Sequence, residues 1–263
     1  MAVILITGAS RGIGRATAQL LAEQGHTVYG TSRDPDNVVI HNVRMLRLDV
    51  TSNGSALAAV QSVVGKSGRL DVLINNAGIS MFGALEEISV EQAQALFDTN
   101  FFGVLRMVNY ALPVMRQQGE GKIINISSIA GLTGVPYLGI YAASKHALEG
   151  YTESMRYEVK QFGVQVTLIE PGDVNTSIGA DAAVEKQIDA YAETRARVYT
   201  KHTESMQNAP APEVVSRTGS KVVRAKSPKM RYTVGAESFL PVAQRIFPAS
   251  LIERFLRNYF KLP

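Results

Sequence analysis

The opening of the chain restricts its fold more than any other segment. Residues 3–7, Val-Ile-Leu-Ile-Thr, form an unbroken apolar and β-branched run. That is the pattern of a strand covered on both faces. The run leads straight into Thr7-Gly8-x-x-x-Gly12-x-Gly14, and residues 15–24 behind it read as a helix that Gly25 ends. Glycines allow positive φ and close approach of the backbone. A helix start offers unpaired N–H groups and the positive end of its dipole. Strand, glycine turn and helix in this order suit the binding of a pyrophosphate. A tight turn without a ligand has the same composition, but the flanking strand and helix favour the phosphate reading.

The same alternation continues. Strands are expected at 27–31, 44–48, 72–75, 122–127 and 164–170, and helices at 55–64, 90–117 and 142–162. Strands alternating with helices of this length imply a parallel sheet with right-handed crossovers. Residues 173–212 break the rhythm. They are polar, helical over 182–199, and read as a lid over a substrate; Ile178, Val184, Ile188, Tyr191 and Val198 either face that substrate or pack. A helix at 212–225 and a strand at 232–234 resume the pattern. With no linker or repeat, the 263 residues read as one domain.

Composition removes several kinds of chemistry. There are no cysteines, hence no disulfide, no thiolate nucleophile and no Cys-ligated zinc. The histidines, at 26, 41, 146 and 202, form no His-x-x-x-His pair, so no metal site is expected. The net charge of +4 is mild and dispersed, without the basic and aromatic clustering of a nucleic-acid binder. No apolar run reaches the roughly 20 residues of a membrane span, and no basic leader is visible, so the expected location is cytoplasmic.

Nucleotide choice is legible at the end of the second strand. An acid there would bind a ribose 2′-hydroxyl and repel a 2′-phosphate. This chain has Thr31-Ser32-Arg33 instead, and Arg11 in the glycine loop is a second cation. The reading is NADP(H), because a charge-assisted bond from arginine is worth about 1.5–3 kcal/mol; Arg33 as a solvated charge beside Asp34 is the weaker alternative. Asp49, before Val50, accepts from an adenine amino group or forms a local turn. In Asn75-Asn76-Ala77-Gly78 the asparagines can bridge strands while Gly78 lets the chain pass close to a ligand. Tyr141 and Lys145 stand four apart, on one helix face. An ammonium beside a phenol lowers the phenol pKa, and a phenol so tuned exchanges protons near neutral pH. The pair alone is common on helix surfaces; its place after Ser127-Ser128 raises its significance.

Taken together these motifs resemble the short-chain dehydrogenase/reductase family, closely over 2–178 and more loosely to 234. The resemblance implies a Rossmann-type, doubly wound sheet of seven parallel strands with helices on both faces. It also implies hydride transfer between a ketone or aldehyde and an alcohol. The family's catalytic group falls on Asn100, Ser128, Tyr141 and Lys145, the spacing to Tyr141 selecting Ser128 over Ser127. Lys145 would hold the ribose hydroxyls, and Asn100 would support a water linking Lys145 to solvent. Implied cofactor contacts are Gly8, Ser10, Arg11, Gly12, Ile13, Gly14, Ser32, Arg33, Asp49, Val50, Asn76, Ala77 and Gly78. Tyr141, Lys145, Pro171, Gly172, Val174 and Thr176 complete that set.

The tail from Arg231 looks like the branch containing retinol and 17-beta-hydroxysteroid dehydrogenases. The expected substrate is a small apolar carbonyl or alcohol. A 3-oxoacyl carrier-protein reductase is the rival within the family; the long 173–212 segment argues against it. A cofactor sensor without catalysis would have lost Tyr141, Lys145 or Ser128. Residues 249–262 are amphipathic with three cations, which suits packing on the fold or, as the second choice, a bilayer surface. A homodimer or homotetramer is expected through the two long helices, whose non-catalytic faces carry Leu96, Phe97, Leu105, Val108, Leu148, Tyr151, Met155 and Val159.

Overall fold

The computed structural model describes residues 1–176, 182–235, 239, 243 and 246–262. β1 (Val3–Ile6) is buried along its whole length, as an unbroken apolar run requires. α1 (Gly12–Glu23) follows, then β2 (Thr27–Ser32), β3 (Val43–Arg47), α2 (Asn53–Ser67) and β4 (Val72–Asn75). Next come the short β5 (Met81–Phe82), α3 (Val90–Phe97), α4 (Gly103–Gln118), β6 (Gly121–Ile126), α5 (Gly139–Val159) and β7 (Val164–Pro171). The described chain ends with β8 (Ala182–Ala183), α6 (Ala192–Asn208), α7 (Glu213–Arg224), β9 (Arg231–Val234) and α8 (Ala249–Tyr259).

The main sheet has seven strands in the order β3-β2-β1-β4-β6-β7-β9, every pair parallel. The order reverses between β1 and β4, and a crevice opens at the carboxyl ends of strands at such a switch point. One apolar layer lies under α2, α4 and α5, around Met107, Met115 and Leu148. The other lies under α1 and α7, around Ile13, Leu21 and Val222.

Three features differ from the sequence reading. The helical run at 90–118 is not uniform: Asp98–Phe102 winds as a π-turn, with the Gly103 N–H bonded to the Asp98 carbonyl. Arg106 braces the turn through the Asp98 carboxylate at 2.6 Å and the Asp98 and Val50 carbonyls. The helix expected at 182–199 is displaced: β8 pairs with β5, and α6 starts only at Ala192. Finally, much of the apolar surface assigned to a subunit contact lies inside the protomer. Leu96, Val108, Leu148, Met155 and Val159 are all buried against its own sheet or neighbouring helices. A charge at Met155 would therefore test the core rather than an interface. No helix among the described residues is long and apolar enough to cross a membrane.

Candidate active site

The glycine loop is built to leave room. Gly8 and Gly12 take positive φ, +67° and +53°. A Cβ on Gly8 would stand 2.9 Å from the Ala77 Cα, and one on Gly14 would overlap the Gly8 carbonyl oxygen and the Asn76 amide. Thr7 Oγ1 accepts from the N–H groups of Asn76 and Ala77, both at 2.9 Å. Asn76 donates to the Thr7 and Gly8 carbonyls at 3.0 and 2.9 Å. Asn75 reaches the other way, donating to Asn125 on β6 at 2.8 Å. Both asparagines thus bridge strands, as their sequence position suggested. No side chain caps the start of α1 behind Arg11, so its N–H groups face the crevice with the positive dipole end. Thr176 stands against Gly12 from the opposite wall.

At the tip of β2, Ser32 is engaged in a local turn, bonding the Asp34 carbonyl and N–H. Arg33 is exposed at the crevice edge. Asp49 adopts the turn geometry that competed with an adenine contact: Oδ1 accepts from the Thr51 N–H and hydroxyl at 3.0 and 2.8 Å. These bonds from Thr51 hold its carboxyl below the usual range. Val50 packs against Gly103 behind the π-turn.

The π-turn aims Asn100 inward, in keeping with the frequent use of such turns at functional sites. Its Oδ1 accepts from the Ile79 N–H at 2.8 Å, and its Nδ2 donates to the Ile79 carbonyl and Ser144 Oγ. Asn100 thereby clamps the loop after β4 onto α5. A Cβ on Gly78 would lie 3.3 Å from Asn100 Oδ1 and 3.8 Å from Lys145 Nζ. Gly78 therefore marks the point where both groups approach the crevice.

Ser128 follows β6. Its hydroxyl accepts from the Ala130 N–H at 3.1 Å, donates to the Pro171 carbonyl at 3.4 Å, and shares the cavity with Tyr141. Ser127 is turned away, against Gly131. Lys145 is buried, its Nζ donating to the Ile126 carbonyl at 2.9 Å and lying 5.7 Å from the Tyr141 ring centre. Burial pulls this ammonium down from 10.5 to about 8, against the opposing pull of the Glu149 carboxylate.

The phenol moves opposite to the sequence reading. Burial raises the Tyr141 pKa, the neighbouring Ser128 hydroxyl offsets part of the rise, and the nearby Asp173 carboxylate adds to it. The physical reason is direct: removal from water outweighs any stabilisation of the phenolate, while the Lys145 ammonium is committed to a backbone carbonyl. A phenol held neutral is a competent acid.

These groups share one cavity of about 390 Å³. Pro171, Gly172, Val174 and Thr176 form one wall, the Gly172 N–H being fixed to the Val234 carbonyl at 2.7 Å. The far wall was not legible in the sequence: Asp173, His202 and Ser205 meet Leu256, Tyr259 and Phe260 there. α8 thus packs one face on the fold, with Phe260 in a small core beside Phe82, Leu138 and Val198. Its Leu251 and Phe255 are exposed. Val198 and Val184 are packing residues, and neither they nor Ile188 and Tyr191 line the cavity; Ile178 lies outside the described residues. Glu87 fastens this region by accepting from the Ala84 and Ile188 N–H groups, both at 2.8 Å, and from Arg195.

A phosphate cradle at a switch point, opening onto a phenol, a hydroxyl and an ammonium, defines a nucleotide-dependent oxidoreductase. Comparison narrows the class. The family model for short chain dehydrogenases matches residues 2–187, and the chain belongs to that family. It is 44% identical to a 3-ketodihydrosphingosine reductase of Bacteroides thetaiotaomicron, over 99% of this chain and 98% of the relative. It is 34% identical to human 17-beta-hydroxysteroid dehydrogenase type 1, over 91% of this chain and 79% of that one. A short-chain dehydrogenase from Streptomyces avermitilis superposes with a TM-score of 0.83 at 30% identity, covering 100% of this chain and 98% of that one.

Proposed function

We propose that this protein is an NADPH-dependent reductase of an apolar ketone carried on a long chain, acting through Tyr141, Ser128, Lys145 and Asn100. The observation that supports it most is the convergence of Tyr141, Ser128 and Lys145 in one largely apolar cavity that adjoins the glycine loop. The likeness to a 3-ketodihydrosphingosine reductase over nearly the whole of both chains points to the same substrate class.

The residues present fit a dinucleotide. A Cβ at Gly8 or Gly14 would collide with the walls of the loop, at Ala77 or at the Gly8 carbonyl and Asn76; the α1 N-terminus would meet the pyrophosphate, and Arg33 and Arg11 would pair with a 2′-phosphate. When bound, the nicotinamide supplies the hydride for the carbonyl carbon. The Tyr141 hydroxyl gives its proton to the carbonyl oxygen, and the Ser128 hydroxyl donates to the same oxygen. Lys145, held near 8, stays mostly charged at neutral pH yet can return a proton to Tyr141. Its ammonium would hold the ribose hydroxyls of the bound nucleotide. Asn100 fixes Ile79 and Ser144, and with them the floor around Gly78 and Lys145. The apolar wall keeps water from the reacting carbon.

The test is nucleotide oxidation with NADPH and NADH against 3-ketodihydrosphingosine, a steroid ketone, retinal and a 3-oxoacyl thioester. The expected result is turnover of the long-chain ketone with NADPH preferred. Tyr141→Phe should remove turnover by about 1000-fold or more and leave NADPH binding within about threefold. Turnover of the thioester alone, or a Phe variant that retains more than a few per cent of the rate, would overturn the reading.

A further inference from the structure

We infer that the outer face of α8 docks on an anionic lipid bilayer and sets the mouth of the substrate cavity at the lipid boundary.

α8 presents three faces. Ile252 and Leu256, with Phe260 just after the helix, turn toward the fold. Leu256 and Phe260 enter the small core beside Phe82 and Val198, and Ile252 lines a groove against the start of α5. Leu251, Phe255 and Tyr259, four apart, form the neighbouring stripe. All three are exposed, and the Phe255 and Tyr259 rings stack at 6.2 Å. Ile246 and Phe247, just before the helix, are exposed as well, and so is Phe239. Large apolar side chains exposed singly are ordinary on a protein surface, but six gathered between residues 239 and 259 are not. The third face is cationic. Residues 246–262 hold Arg254, Arg257 and Lys261 against one acid, Glu253, which lies 3.7 Å from Arg257. The stripe is continuous with the cavity: Phe239, Phe255 and Tyr259 are exposed and also line it.

Charge and continuity with the cavity select the occupant. A helix with an apolar stripe beside cations lies in the surface of an anionic bilayer, with its apolar side chains among the acyl chains and its cations at the headgroups. α8 has 11 residues, about 16 Å of helix, so it lies on a membrane rather than crossing it. A second copy of the same face would set cations against cations about a two-fold axis. A protein seated over Phe239 and Phe255 would close the cavity. A bilayer does neither, and it holds apolar molecules beside the opening. The docking does not depend on the reductase reading; the delivery of a membrane-borne ketone to Tyr141 does.

The experiment sediments the whole chain with lipid vesicles, in the absence of nucleotide and ketone. Vesicles of equal parts phosphatidylglycerol and phosphatidylcholine should carry the native protein down. Binding should be about tenfold weaker or less to phosphatidylcholine alone, with a similar loss in strong salt. These comparisons need no variant, so they decide even if a substitution impairs folding. Leu251→Glu puts a charge into the stripe and Arg254→Glu reverses one beside it; each should weaken binding to the anionic vesicles by about tenfold or more. Both positions are exposed and outside the cavity lining, so turnover of a water-soluble ketone should stay within about twofold of native. Turnover of a ketone embedded in the vesicles should fall with the binding. A native protein that stays in solution with both kinds of vesicle, or binds both equally, would overturn the inference. So would binding that neither substitution weakens. A native multimer that Leu251→Glu alone reduces to the 28.5 kDa monomer in light scattering would also overturn it, by marking the stripe as a contact between two copies. If the vesicles bind as expected and no ketone is reduced, the docking stands and the reductase reading fails.

Discussion

Lys145→Met should make the nucleotide-free protein more stable while abolishing its chemistry. The native ammonium is buried, and burial takes its pKa from 10.5 to about 8. At about 1.4 kcal/mol per pH unit, that difference means that keeping the group charged in the folded state costs about 3 kcal/mol. Below pH 8 both folded and unfolded chains carry the proton, so the whole cost is present. Between pH 8 and 10.5 the folded chain has released the proton and the unfolded chain still holds it. Stability from this group therefore rises with pH across that window. Glu149 is the facing charge that moderates the shift. Tyr141, with its pKa raised, remains neutral through most of the window.

Methionine removes the charge at similar volume, and it also removes the bond to the Ile126 carbonyl. Setting about 1 kcal/mol against that loss leaves a gain of about 2 kcal/mol at pH 7. Urea unfolding of both proteins without nucleotide, at several pH values from 7 to 10, reads the difference directly. The gain should shrink steadily as pH rises through 8. A variant less stable than the native protein at pH 7, or a difference that does not change with pH, would refute the argument.

Two further substitutions probe the cradle and the frame. Gly14→Ala sets a methyl group on the Gly8 carbonyl and the Asn76 amide, so NADPH binding measured by nucleotide fluorescence should weaken by about tenfold or more; an unchanged Kd would remove this loop from the site. Arg231 contacts Glu149 at 3.0 Å, Glu153 at 3.2 Å and Glu170 at 3.3 Å, and Glu149 and Glu170 are buried. Arg231→Met strands those carboxylates and should cost about 3–5 kcal/mol at neutral pH. Burial already raises the Glu149 pKa, with Ser127 and Arg231 opposing. Without Arg231 the folded state should hold that proton still more tightly, so the loss should be smaller near pH 5 than at pH 7 in thermal unfolding.

The seven strands of the main sheet are legible because each combines apolar residues with a turn signal; the five inner strands are largely buried, and the edge strands β3 and β9 are only partly so. The glycine loop was visible because its geometry demands glycine at fixed spacing. What escaped detection depends on winding or on distance. The π-turn at Asp98–Phe102 adds one residue to a helical turn, and nothing in Asp-Thr-Asn-Phe-Phe marks it. The two-residue strands β5 and β8 are too short to show a period. The apolar faces of α4 and α5 looked excessive for one layer only because the depth of the core they fill cannot be judged from the helices alone.

The site divides along the same line. Residues fixed by backbone demands, such as Gly8, Gly14 and Pro171-Gly172, announce themselves locally. So do Tyr141 and Lys145, which one helix face brings together. The corner formed by Asp173, His202, Ser205 and Tyr259 is gathered from positions up to 86 apart (259 − 173), with no shared periodicity, and only the fold assembles it. The Tyr141 result belongs here too. Its neighbour Lys145 predicted a lowered pKa, but the controlling quantity is burial, which depends on Ser128, Asp173 and the far wall. The chemistry a family shares is therefore written in short segments of the chain. The features that select one substrate from another arise where distant segments meet, and they are best sought at the loop after β7 and on α6 and α8.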